Sequence, residues 1–190
     1  MDIASRSLWT EIHGMGFGAL FLLAFSGGFF ELYRMTTRAP EGSITKGQRR
    51  FLNAYLILMA GLAWLAVLSG AYIIYPWYRA VPPPGTSDLS RFPQRLLLGD
   101  PLTAPWHSLG MEWKEHVAWI AAISITMVAY VVIRYGRNLG EHWQLRRAVL
   151  SFAAASFAAA AIAGFFGAMI NKHAPVQEIP AAHSMLKGLR

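Results

Sequence analysis

Charged residues fall along this chain in clusters, and between the clusters lie four long apolar runs. The 19 positions between Glu11 and Glu31 hold no Asp, Glu, Lys or Arg, and only His13 and Ser26 interrupt their apolar character. The 28 positions between Arg50 and Arg79 are also uncharged, as are the runs from His116 to Ile133 and from Ala148 to Asn171. A helix rises about 1.5 Å per residue and a bilayer core is about 30 Å thick, so each run is long enough to span it. The pattern predicts an all-α chain, a four-transmembrane-helix up-down bundle forming a single membrane domain over residues 1–190. The spans are expected near residues 10–33, 51–78, 112–134 and 146–171, with a long loop over 79–111 and a C-terminal tail over 172–190.

The polar segments punctuate this frame. Pro40, Gly42 and Ser43 mark a loop after the first run. Tyr75, Trp77 and Tyr78 crowd the end of the second, as aromatic residues do at headgroup level. The segment 79–111 carries six of the ten prolines (Pro82, Pro83, Pro84, Pro93, Pro101 and Pro105), and a loop this long is usually functional or partner-binding. Its partly apolar piece, 91–98, is expected to form a short helix along the membrane surface. On the fourth run, Ala154, Ala158, Ala161, Gly164 and Ala168 are expected to let helices approach closely in lipid.

Charge sets the expected orientation. Residues 34–50 hold Arg34, Arg38, Lys46, Arg49 and Arg50, and residues 134–147 hold Arg134, Arg137, Arg146 and Arg147; together these are nine of the 17 basic side chains. By the positive-inside rule both loops are cytoplasmic, which puts the termini and the loop 79–111 on the periplasmic side of a bacterial inner (cytoplasmic) membrane. The first run has a barely basic lead and no small-residue cleavage site, so it is expected to be a retained helix, not a signal peptide.

Composition narrows the chemistry. Hydrophobic residues make up 55% of the chain and charged ones 14%, against about a quarter charged in soluble domains. The net charge of +7 lies beside apolar runs and forms no basic face interleaved with aromatics, so nucleic acid is not an expected partner. There is no cysteine, which excludes disulfides, cysteine-held iron–sulfur clusters and covalent c-type haem. No phosphate-binding glycine loop and no H-E-x-x-H zinc motif occurs. The mid-membrane stretches carry no Asp, Glu, Lys or Arg, which gives little basis for an ion path.

The densest candidate chemistry lies in 106–119, with two of the six histidines, two of the ten acids and three of the seven tryptophans. His107 is expected in the loop before the membrane and His116 just inside it. His13 sits at a similar depth in the first run, and two histidines on different helices can hold a haem iron from opposite faces. Gly16 shares a helical face with His13, between Gly14 and Gly18; these glycines offer either a flat wall for a haem or a close helix contact. Glu112, four residues before His116, is placed to accept its second N–H. Ile120, Ile123, Met127 and Tyr130 continue that face as an apolar wall. Lys114, Lys172, Arg91 and Arg95 suit haem propionates or snorkelling to headgroups. His173 and His107 compete as ligands, while His142 and His183 read as solvated. Copper is a further reading of His107, Met111 and His116.

A histidine opening the first span, another opening the third, and Gly-Ala-Met-Ile-Asn-Lys-His closing the fourth resemble small four-helix membrane proteins of the cytochrome-b type. The pattern is similar to that of a bacterial family of four-span proteins, with His13, His116 and His173 at the matching positions. The resemblance implies a haem b-binding membrane subunit of a respiratory or photosynthetic electron-transfer complex. Such a subunit passes electrons between quinol or a periplasmic c-type cytochrome and other membrane subunits, and is a non-catalytic part of an oxidoreductase. A cofactor-free anchoring subunit, holding its partner through 79–111, remains the alternative.

Overall fold

A computed structural model describes residues 3–37, 45–136, 139 and 141–176. Four helices in it are long and apolar enough to cross a membrane: α1 (Ala4–Arg34), α2 (Lys46–Tyr78), α4 (Trp106–Tyr135) and α5 (Trp143–His173). A short helix, α3 (Pro93–Leu98), lies between α2 and α4. No strand occurs among the described residues. The chain is thus built as a multi-pass, all-α membrane protein. Arg38, Glu41, Arg137 and His183, and the tail beyond residue 176, lie outside the described residues.

Pairs of contacting residues show how the helices run. Tyr55 donates its hydroxyl to the Ala24 carbonyl, and His13 meets Ser69, so α1 and α2 are antiparallel. Trp64 donates to Thr126, and Tyr78 meets His107, which makes α2 and α4 antiparallel. Ser156 donates to the Ala121 carbonyl at 2.8 Å, while Gly110 lies against Phe166, so α4 and α5 are antiparallel too. Phe25 against Phe157 closes the ring between α1 and α5. The result is an up-down four-helix bundle.

The helices begin and end where the sequence supplies local reasons. At the start of α2, the Thr45 hydroxyl accepts from Gln48 N–H while the Gln48 side chain accepts from Thr45 N–H, which satisfies two N-terminal donors reciprocally. Helix α4 starts at Trp106, directly after Pro105, and therefore six residues before the expected span. Proline is well suited to a helix start, because its fixed φ is already helical and its missing N–H would have no partner there. His107, expected in a loop, is consequently helical and buried.

Burial sorts the faces. On α4, Ala121, Ala122, Ile125, Val128, Ala129 and Val132 are buried, whereas Ile120, Ile123, Met127 and Tyr130 are exposed. The apolar wall expected beside His116 is therefore the outward face of α4. On α5 the buried small residues are Ala153, Ser156 and Ala159; Ala154, Ala158, Gly164 and Ala168 are exposed. The packing face is rotated by one residue, about 100°, from the expected one. The run Ala158–Ala159–Ala160–Ala161 gives hydropathy nothing to choose between, and the Ser156 hydroxyl is turned to α4, where it donates to the Ala121 carbonyl.

Two cores result. The main one runs through the bundle and includes Phe21, Leu32, Leu56, Met59, Ile125 and Val149. A smaller one, of Tyr78, Leu97, Met111, Ile170 and Ala174, lies beneath the segment 79–105 and turns it into a folded cap. The cap opens with a type II turn: Thr86 N–H donates to the Pro83 carbonyl, Pro84 takes the second position, and Gly85 takes the φ of +81° that the third demands. Pro93 then opens α3, the short helix expected within 91–98, and Thr103 closes it by donating to the Leu97 carbonyl at 2.8 Å.

Candidate functional site at the capped end of the bundle

Three stretches depart from α-helical winding, and all three lie at the capped end. Ile12–Ala19 in α1, Gly70–Ile74 in α2 and Trp106–Met111 in α4 are wound as wider π-helix. Such windings are rare and are frequent at functional sites. Each has a histidine in it or against it.

His13 lies in the first of these. Its Nδ1 is 3.0 Å from Ser69 Oγ, and Ser69 spends its one hydroxyl proton on the Ala66 carbonyl at 3.1 Å. Ser69 therefore accepts from His13, which puts the proton on Nδ1 and leaves Nε2 as an acceptor. The imidazole lies against Gly70: a Cβ there would be 2.9 Å from His13 Cε1. Glycine at 70 is what lets α2 carry this ring. A Cβ at Gly14, Gly16 or Gly18 would meet no atom of another helix within 4 Å among the described residues, so close packing inside the chain does not call for glycine there.

His107 is held from both sides. Its Nδ1 is 2.9 Å from the Tyr78 hydroxyl and its Nε2 is 3.2 Å from the Gln94 amide nitrogen. The Gln94 amide donates to Nε2, so Nδ1 carries the proton and donates to Tyr78. The ring joins the end of α2, the start of α4 and helix α3. Both nitrogens are used here, by Tyr78 and Gln94.

Arg79 ties the same end electrostatically. Its guanidinium donates to Glu115 at 3.0 Å and, more weakly, to Glu112 at 3.4 Å, and lies over the Tyr75 ring at 5.0 Å. Tyr75 donates to the other Glu115 oxygen at 2.9 Å. Burial works most strongly against the Arg79 charge, but the hydrogen bond to Glu115 and the negative charges of Glu115 and Glu112 together outweigh it and hold its pKa above the ordinary arginine value. Glu115, not Glu112, is the acid at the centre of this network.

His116 has a different setting from the one expected. Its Nδ1 donates to the Glu112 backbone carbonyl at 2.9 Å, while the Glu112 carboxylate is 3.9 Å away. Its side chain is 73% exposed. Lys114, two residues earlier and so about 200° around the helix, turns inward: its Nζ fills the space beside Gly167, where a Cβ would come within 2.8 Å. No ion pair of Lys114 is found among the described residues. His173 stacks on Trp106, with ring centres 5.8 Å apart and planes 11° apart. His142 is exposed at the start of α5.

These positions decide how the candidate residues fit a haem. His13 has its Nδ1–H fixed by Ser69, the kind of contact that orients metal-bound histidines. His116 faces outward, along with Ile120, Ile123, Met127 and Tyr130. The pair is not assembled within one chain, and no group of three or more potential metal-binding side chains occurs among the described residues. A cleft of about 560 Å³ lies at the other end of the bundle, between α1 and α2, lined by Gly28, Phe51 and Tyr55 among others. Its charged groups, Glu31 and Arg34, pair with each other.

Ser69, Gly70, Gln94 and Tyr78 were not singled out by the sequence. Tyr75 and Tyr78 read there as part of an aromatic belt. The available signal was their place opposite His13 and His107, which becomes visible only once the helices are paired. No family model, curated protein or solved structure matches the chain.

Proposed function

We propose that this chain is a cofactor-free anchoring subunit of a membrane complex, whose four helices hold the cap at one membrane surface as a seat for another subunit. One observation carries the reading. The Pro-rich segment is folded over its own core and clasped through His107, yet it leaves Val81, Leu98 and Leu102 exposed on its outside, with Leu102 at 85%. Ordering a surface segment costs conformational entropy, and a rigid platform with exposed leucines is suited to holding a partner. The test is affinity purification of the full chain from its native membranes in mild detergent. A subunit that co-elutes in fixed ratio and is lost on Leu102→Asp supports the reading. A chain that elutes alone, or a partner retained by the variant, contradicts it.

A second reading keeps haem b, and with it transfer of electrons from quinol or a periplasmic cytochrome to partner subunits. It is favoured by His13, whose Nδ1–H is held by Ser69, and by the glycines beside it, where a Cβ would meet no other helix. The second axial ligand then comes from another chain, either a second copy presenting His116 or a different subunit. A Soret band in the purified complex that disappears in His13→Ala supports this reading; a colourless complex removes it.

A further inference from the structure

Four segments meet at a small notch on the capped end: the start of α1, the end of α2, the approach to α3 and the exit of α5. Arg6, Trp77, Ser90 and Arg91 supply its polar lining, and Pro93 and Pro175 its walls. The notch has about 20 Å³ of free space, room for about one water-sized group. Arg6 lies over the Trp77 ring at 5.5 Å, so the two side chains hold each other in place. Both Arg6 Nε and Trp77 Nε1 are buried and have no acceptor among the described residues. Leaving such donors unpaired costs about 1–3 kcal/mol each, more for a charged group. Among the described residues the Arg6 guanidinium makes one hydrogen bond, a long one of 3.4 Å to the Arg91 carbonyl. Among the described residues no Asp or Glu lines the notch. Asp88 stands nearby, but its carboxylate accepts from Ser90 N–H, and that bond holds its pKa below the usual range.

Unpaired donors, two guanidinium groups and space for one small group favour an oxygen acceptor that carries negative charge. We propose that this notch binds a phosphate group, with one oxygen seated between Arg6 and Trp77 and the remainder reached by the exposed Arg91. Its position beside the aromatic end of α2 suits a phospholipid headgroup, and free phosphate presents the same chemistry. Because four segments line the notch, a bound phosphate would also tie the cap to the N-terminus of α1.

The full chain, delipidated in detergent, is the material for the test. Native mass spectrometry measures retention of phosphatidylglycerol against diacylglycerol, which has the same tails and no phosphate. Thermal unfolding with and without inorganic phosphate forms the second arm. The variants are Arg6→Gln, Trp77→Phe, which keeps a ring but removes the N–H, and Arg91→Gln. Arg91 is exposed, so its variant remains informative if another fails to fold. Selective retention of phosphatidylglycerol, weakened roughly tenfold or more in the variants, assigns a headgroup. Stabilisation by inorganic phosphate that the variants lose assigns the free ion. Equal retention of diacylglycerol with no phosphate effect, or binding unchanged in all three variants, overturns the proposal.

Discussion

The Tyr78 hydroxyl and His107 Nδ1 lie 2.9 Å apart, and through this contact the last turn of α2 is fastened to the first turn of α4. The two residues are separated by the whole cap, whose α3 then closes on the same imidazole through Gln94 at 3.2 Å. One ring thus seats a segment that would otherwise be a long connection. The platform on which the anchoring account rests depends on this clasp.

Tyr78→Phe removes the acceptor of a buried N–H while leaving the ring's packing in place. The expected cost is about 1–3 kcal/mol, the penalty for a buried polar group left without its partner. Limited proteolysis is expected to cut within 79–105 faster in the variant than in the parent chain. Equal cutting rates would show that the cap is held by its apolar core alone.

Gly70→Ala is expected to destabilise the bundle by about 1–3 kcal/mol, because the new Cβ would meet His13 Cε1 at 2.9 Å. Gly61→Ala is the matched control: nothing lies within 4 Å of its Cβ, and alanine is the better helix former by about 1 kcal/mol. Thermal unfolding in detergent should therefore move in opposite directions for the two. A shift of the same sign in both would contradict the placement of His13.

The face that α5 turns to α4 is open to an equally direct check. Ala153→Leu should destabilise strongly, since Ala153 is fully buried against the main core, whereas Ala154→Leu should be tolerated at its exposed position. Overpacking a filled site costs about 1–3 kcal/mol. Unfolding temperatures of the two variants decide it, and the reverse order would restore the packing face expected from the sequence.

Arg79→Gln removes contacts with Glu115 and Glu112, yet the expected loss of stability is at most about 1 kcal/mol. The arginine side chain is 38% exposed, and water and salt screen pairs of this kind. A loss of several kcal/mol in a denaturant or thermal series would mean that the network is sealed from solvent, as by a partner subunit covering it.

Much of the fold was legible because the bilayer imposes a length on apolar runs. The four spans and the short helix in 91–98 follow from that length and from proline placement. Which side of a helix faces inward was less legible. In α4 and α5 nearly every position is apolar, so the 3.6-residue contrast between faces is weak, and Ile120, Ile123, Met127 and Tyr130 on one helix and Ala154 and Ala158 on the other read as interior. The histidines show the same limit. Depth along the chain places His13 and His116 near one level, but the angle around the helix, set by Lys114 turning toward Gly167, sends His116 outward. The partners of His13 and His107 come from other helices, and no local pattern marks Ser69, Gly70 or Gln94.

The anchoring account is tested most directly by the mass of the particle extracted from native membranes in mild detergent and weighed by native mass spectrometry. The account predicts a protein mass well above the 21.0 kDa of one chain, with a second kind of subunit in fixed ratio that Leu102→Asp releases. A particle of 21.0 kDa, or one built only of copies of this chain, would contradict it.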